Sequence, residues 1–435
     1  MQRRFSLVSL AVAATAWVPL QVHAAHLSAE EQKIVAAVKL HHDQTEVLLE
    51  RLVNMNSGTL NLAGVTAVAD ALRPEFESLG LSVRWIPMAD VGRAGHLIAE
   101  HHVKRKGVKR ILMIAHLDTV FETESPFQHY MRRGNMAEGP GTIDIKGGVV
   151  VIVSALRALR DAGVLPRADV TVFLSGDEER PGRPLSVARR DLVAAGKASD
   201  LALDFESMAR HGDEDTIHIG RRSAGSWKLT VTGTSGHSAG VGRGAGFGAV
   251  YELARIVDEF RRTLPEPNVT FNTSLVTGGT TAELEEAGTR ATASGKDNVI
   301  AAQAFAIGDL RTLSDEQTAR IQQKMRDIIA HHLEGTHAAI EFDEGYPAMA
   351  PTPASQALFD LLSVVNGDLG FDALKEGDPA ERGAGDIAFV AHDVPGLVGM
   401  GAAGHGAHAV GETVELTSLG PQAERAAILV ARLSR

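Results

Sequence analysis

The chain has 435 residues, 44% of them hydrophobic and 22% charged, a globular composition at a length that favours two domains over one. A formal net charge of −11 without a large basic cluster argues against a nucleic-acid partner. The absence of cysteine excludes disulfides, thiolate metal sites and a Cys nucleophile, so any transition-metal site must use His, Asp and Glu, which suits zinc, cobalt or manganese.

The N-terminus reads as a targeting segment. Arg3 and Arg4 precede an apolar run from Phe5 to Val18, and Val22-His23-Ala24 offers a small-x-small cleavage pattern. Residues 1–24 are therefore expected to be a signal peptide, the mature protein secreted or periplasmic, with no membrane attachment after cleavage. Ser28-Ala-Glu-Glu31 is a capping box that should open one helix through Val53. A second helix is expected from about Ala63 to Leu79, stopped by Gly80. Leu81 to Ile86 and Gly95 to His101 alternate like strands, and Lys104-Arg105-Lys106 reads as a solvated loop.

Ile111 to Ala115 is fully apolar, a buried strand that runs into His116-x-Asp118. An Asp two residues from a His at a strand end shares its face and can orient the imidazole. With 18 histidines in the chain most must be bystanders. Glycines crowd Asp144 in Gly139-Pro-Gly-Thr-Ile-Asp144-Ile-Lys-Gly-Gly148, as a main chain held close to a ligand requires. A plain turn with Asp as turn former would read the same way. A helix should follow from Val149 to Ala162.

Val170 to Leu174 is another buried strand, and Asp177, Glu178 and Glu179 follow at its end. Adjacent buried carboxylates repel and lose hydration, a cost that a bound cation offsets. One can hold a metal while its neighbour moves protons. A short helix near 185–195 and strand 201–205 lead to Glu206. Four strand or loop ends thus deliver acids and a His to what would be one crevice of an open α/β sheet.

From about Gly220 the pattern changes. Strands at 226–232, 271–277, 301–310 and 338–342 and helices at 245–264 and 315–333 describe a small α+β layer inserted into the first domain. Afterwards come helix 355–369, Gly383-Ala-Gly-Asp386, helix 387–392, strand 397–400, the His405-Gly-Ala-His408 loop and a last helix 419–433. The fold class expected is an α/β/α domain on a mixed sheet (25–220 and 346–435) interrupted by a two-layer, ferredoxin-like insertion (221–345). Gly220 and Gly345 are its expected hinges.

Taken in order, His-x-Asp, Gly-x-Gly-x-x-Asp-x-Lys-Gly-Gly, Asp-Glu-Glu, the Glu of Asp-Phe-Glu and a late His-x-x-x-Glu resemble the M20 metallopeptidases, the group of glutamate carboxypeptidase. That resemblance implies a site for two divalent metals, zinc first and cobalt or manganese otherwise. His116 and Glu206 would hold one, Glu179 and His408 the other, and Asp144 would bridge them, with a cis bond after it. His405 is the rival to His408, which is preferred because Glu412 follows it at the family's spacing. Asp118 would orient His116, and Glu178 would be the general base for attack of a metal-bridging water. His237 would stabilise the oxyanion of a partner subunit, which implies a homodimer through the insertion. Asn298 and Arg311 would bind the substrate's free carboxylate, and the main chain at Gly385 would approach the substrate. Without the family, Arg311 reads equally as a surface ion pair and Asn298 as a turn residue. Relatives that prefer glutamate place basic groups near 345–347, where this chain has no arginine; Arg221 and Arg222 are the candidate substitutes, and the resemblance does not carry over a glutamate preference. The function expected is an exported exopeptidase cleaving the bond next to a free C-terminal carboxylate. The alternative is an amidohydrolase of N-acyl amino acids with the same site.

Overall fold

The computed structural model describes residues 27–435 apart from 213, 286 and 287, so the expected signal peptide lies outside the described residues. A six-stranded sheet forms the centre, in the spatial order Ser82–Pro87, Gly95–His101, Asp169–Ser175, Arg110–His116, Leu201–Asp204, Gly396–Val398. The last four strands of that order run parallel, and the first two pair antiparallel. Parallel strands are covered on both faces, and here alternate residues go to opposite sides. Met113, Val172 and Leu203 join a large core under helices Ala29–Leu40, His42–Val53, Leu62–Ser78, Gly147–Asp161, Pro353–Asp368 and Leu416–Leu433. Leu112, Ile114 and Phe173 face a smaller core with Leu192, Ile387 and Val390.

The expected first helix is two. The backbone leaves helical geometry at His41 (φ −97°, ψ 8°), which caps Ala29–Leu40 and begins His42–Val53. The helix expected at 387–392 is one tight turn, Asp386–Phe389. The ladders Met131–Arg133 with Met136–Glu138 and Thr281–Leu284 with Ala291–Ser294 were not expected, because strands of three or four residues carry no readable period.

The insertion has its own sheet, in the order Thr270–Gly279, Gln303–Arg311, Gly225–Gly233, Thr336–Phe342, all antiparallel. Helices Ala249–Thr263 and Asp315–Ile329 lie on one face, which is the ferredoxin-like arrangement. Its separate core centres on Trp227, stacked on Phe271 at 5.3 Å and edge-on to Phe260 at 5.9 Å. Two crossing segments connect it to the larger domain and pair with each other. Arg221 and Met349 exchange main-chain hydrogen bonds of 2.9 Å each, and Ala224 and Tyr346 bonds of 3.0 and 2.9 Å. The expected hinge regions are therefore one two-stranded ribbon.

Candidate metal centre

The parallel strands end on one edge of the large sheet, and that register gathers the acids. His116 ends Arg110–His116 and pairs with Ser175, two residues before Asp177. Leu201–Asp204 stops two residues short of Glu206. Asp144 arrives from a glycine-rich turn. Gly141 takes φ +76°, Asp144 and Ile145 depart from helical geometry, and the Asp144–Ile145 bond is cis, as expected.

The two carboxylate oxygens of Asp144 face opposite ways. Oδ1 lies 3.0 Å from His116 Nε2 and Oδ2 3.0 Å from His408 Nε2. His116 Nε2 is also 3.6 Å from Glu206 Oε1, and His408 Nε2 is 3.1 Å from Glu179 Oε2. One carboxylate thus stands between two His–Glu pairs, and the five expected ligands meet. Ligand atoms of His116, Asp144 and Glu179 fall within 4.8 Å of one another. His405 does not join. It is exposed, 3.8 Å from Glu415, whereas His408 reaches the cluster from a left-handed backbone (φ 65°).

Nitrogen and carboxylate donors without sulfur suit zinc-type ions. Glu179 Oε1 is buried with no hydrogen-bond partner, which leaves a free donor inside the cluster. Burial, helped by Asp144's charge and opposed by His408, pushes Glu179 up to about 7. Burial and then Glu206 push Asp204 up to about 8, and contacts with Asp144 and Glu179 raise His408 to about 11. These shifts express buried negative charge crowded together, a cost that bound cations would offset. These residues fit a metal pair.

Asp118 is fully buried and spends its carboxylate on the strand ends. Oδ1 accepts the Glu178 N–H at 3.0 Å, and Oδ2 accepts the Glu179 N–H at 3.1 Å and the Thr59 hydroxyl at 2.6 Å. His116 Nδ1 lies 3.0 Å from the Asp118 carbonyl and 3.5 Å from Oδ1, which fixes the ring with Nε2 toward Asp144. Burial pushes Glu178 well above the ordinary carboxylate range, with Asp386 and the neighbouring glutamates adding to it against the His116 charge. Asp177 turns away and pairs with Arg189 at 2.6 Å.

The expected substrate-binding residues divide. His237 and Asn298 are exposed and adjacent: the Ser238 N–H donates to the Asn298 carbonyl at 3.0 Å, and His237 bridges to Val299. Arg311 ends the nine-residue strand whose other end lies near Asn298, about 30 Å away at strand rise. Arg311 and Asn298 of one chain therefore stand too far apart to share one carboxylate, and Arg311 Nε pairs with Asp309 at 3.1 Å. Gly385 is buried where a side chain would collide with Arg221. Arg221 is not a substitute specificity residue: its Nε and Nη2 donate to the carbonyls of Gly383 and Ala384 at 2.6 and 2.7 Å, and Nη1 lies 3.3 Å from Asp204. Arg222 donates to the Ala380 carbonyl and to Thr270. The residues the sequence did not flag are Arg189, Tyr346 and Asp386; only Asp386 stood in a motif.

Residues 112–432 match the family model described as Peptidase family M20/M25/M40. Carboxypeptidase G2 from Pseudomonas sp. (strain RS-16) is 31% identical over 214 residues, 48% of this chain and 49% of that protein, so the chain spans about half that relative's length. Succinyl-diaminopimelate desuccinylase from Acidiphilium cryptum (strain JF-5) is 27% identical over 373 residues, 82% of this chain and 90% of the relative. Among solved structures, a Bacillus subtilis protein described as a dinuclear metal binding peptidase from the M20 family matches with a TM-score of 0.62 at 16% identity, covering 91% of this chain and 99% of its own. Likeness at that identity shows the fold.

Proposed function

The chain belongs to peptidase family M20/M25/M40, a family of metallo-carboxypeptidases and amidohydrolases, and we propose that it hydrolyses the amide bond next to a free C-terminal carboxylate, with Glu178 as general base. The observation that carries this reading is Asp144 standing between two His–Glu pairs beside a glutamate that belongs to neither. His116, Asp144 and Glu206 would hold one divalent ion, and Asp144, Glu179 and His408 the other. Zinc is the first choice, with cobalt and manganese compatible with the same donors. When bound, the pair supplies Lewis acidity and lowers the pKa of water.

The rest falls to this chain's own groups. Glu178 takes the proton from the attacking water and gives it to the leaving nitrogen, so the amide breaks into an acid and an amine. Asp118 keeps His116 oriented and sets the main chain of Glu178 and Glu179. Arg311 would take the substrate's carboxylate in a forked pair after leaving Asp309. The separation of His237 and Asn298 from Arg311 supports a homodimer in which those two residues serve the partner's centre. Export to the periplasm or beyond rests on the sequence of residues 1–24; among the described residues no helix is long and apolar enough to cross a membrane.

The desuccinylase relative favours a second reading, hydrolysis of N-acyl amino acids by the same groups. A panel of dipeptides and N-acyl amino acids, run with zinc, cobalt and manganese and again with chelator, separates the two. Hydrolysis that resists the chelator would overturn both. Glu178→Gln is expected to keep its metal and lower kcat by at least about a hundredfold; full turnover in that variant refutes the mechanism.

A further inference from the structure

A general base must be held still while its carboxylate stays free. Among the described residues no hydrogen bond engages the Glu178 carboxylate, and the main chain is gripped on both sides instead. Its N–H donates to Asp118, and its carbonyl accepts the Tyr346 hydroxyl at 2.7 Å. Asp118 is itself pinned by His116, Thr59 and Glu179. Tyr346 comes from elsewhere: it lies on the ribbon that carries the small sheet, paired to Ala224.

The Tyr346 oxygen is also aimed. It accepts a hydrogen bond of 2.7 Å from Arg189 Nη2, so its proton is left for the Glu178 carbonyl. Arg189 is 1% exposed and fixed on three more sides. Its Nη1 donates to Asp177 Oδ1 at 2.6 Å, its Nη2 to the Asp177 carbonyl at 3.0 Å, and its Nε to Asp386 Oδ1 at 2.8 Å. Asp386 accepts the Ser175 hydroxyl with its other oxygen. One buried guanidinium thus joins the strand end that bears the acids, the Gly385 turn and the ribbon. A neutral hydroxyl between a cation and a carbonyl is polarised and holds its geometry well.

We propose that Tyr346 is a positioning residue for Glu178, tying the placement of the base to the ribbon between the two sheets. The proposal rests on Glu178 being the base, and the test separates the two ideas. Tyr346→Phe removes one oxygen from a half-buried ring. It should lower kcat about tenfold with KM changed less than about twofold, metal content unchanged and the melting temperature within a few degrees of the parent. Phe389→Leu is the companion variant: it removes the ring packed edge-on against Tyr346 at 4.9 Å and leaves the hydroxyl. It should keep kcat within about twofold even where it lowers the melting temperature.

Glu178→Gln, measured in parallel, reports on the base itself. An inactive Glu178→Gln beside a Tyr346→Phe enzyme of parental kcat overturns the positioning role and leaves the base standing. Loss of kcat in Phe389→Leu equal to that in Tyr346→Phe overturns it as well, because packing would then suffice. Turnover in Glu178→Gln overturns the base, whatever Tyr346→Phe does.

Discussion

Glu412 is not one of the five clustered side chains, yet it sets the middle one. Its Oε1 accepts the N–H of Ile143 at 2.8 Å and of Asp144 at 3.1 Å, from a fully buried position. Those bonds hold the turn that aims Asp144 at both histidines. Burial, against those bonds, pushes Glu412 up to about 7. Glu412→Ala leaves two buried N–H groups unpaired and frees the turn. Metal affinity should fall about ten- to a hundredfold, the usual cost of losing a group that orients a ligand, as measured by competition with a chromophoric chelator. Unchanged affinity would mean that the turn holds itself. At this scale the acids and histidines were legible because each stood at the end of an apolar run, in a fixed order. Arg189 was not: nothing in Ala188-Arg189-Arg190 says which arginine is buried, and the difference arises only where Asp177 and Asp386 come within reach. Arg190 is exposed and pairs instead with neighbouring Asp191.

Between elements, the first and last described helices are joined by charge. Glu31 Oε1 accepts Arg432 Nε at 2.8 Å and Arg435 at 3.1 Å, while Oε2 accepts the Ser28 N–H at 2.8 Å and completes the expected capping box. Burial raises the Glu31 pKa, but Arg432 and the Ser28 donors outweigh it and bring the carboxyl from 4.5 down to about 2. A depressed folded pKa contributes stability above about 4.5 that is lost as pH falls toward 2. Glu31→Gln keeps the cap and removes the charge. It should cost on the order of 1 to 3 kcal/mol at pH 7, the scale of hydrogen bonds to a charged group, and the gap to the parent should narrow as urea unfolding is repeated at pH 5, 4 and 3. A gap that widens on acidification would assign the effect elsewhere. The capping box was readable because its two residues are local. The break at His41 was not, since His41 to Val53 keeps helical spacing and the junction is settled by packing, including the His41 ring 2.6 Å from Asp161. The helix expected at 387–392 failed for a similar reason: Asp386 is held by Arg189 and Ser175, and the chain leaves after one turn.

For the whole molecule, the insertion could be seen in the sequence because every clustered ligand lies outside it, from His116 to Glu206 and again at His408. Its strands and helices also read as a small α+β layer, with helices against one antiparallel sheet. What could not be read was register. Only the pairing of Gly225 with Leu310 and of Thr232 with Gln303 shows that Arg311 sits at the ribbon end of the small sheet and Asn298 beyond the far end. That geometry supports the proposed dimer, in which His237 and Asn298 serve the partner's centre and symmetry lets each copy serve the other. The consequence is a complementation experiment. Glu178→Gln and His237→Ala chains should each be nearly inactive alone. Unfolded together and refolded at equal concentrations, half of the dimers would carry one chain of each kind. In such a dimer one centre combines the intact Glu178 of one chain with the intact His237 of the other, so activity should recover to about a quarter of the parent's. Recovery should fail if Arg311→Ala is added to the His237→Ala chain, because the intact centre would then lack its carboxylate clamp. No recovery from the first mixture, with mixed dimers confirmed by native mass spectrometry, would return His237 to its own chain or to a structural role.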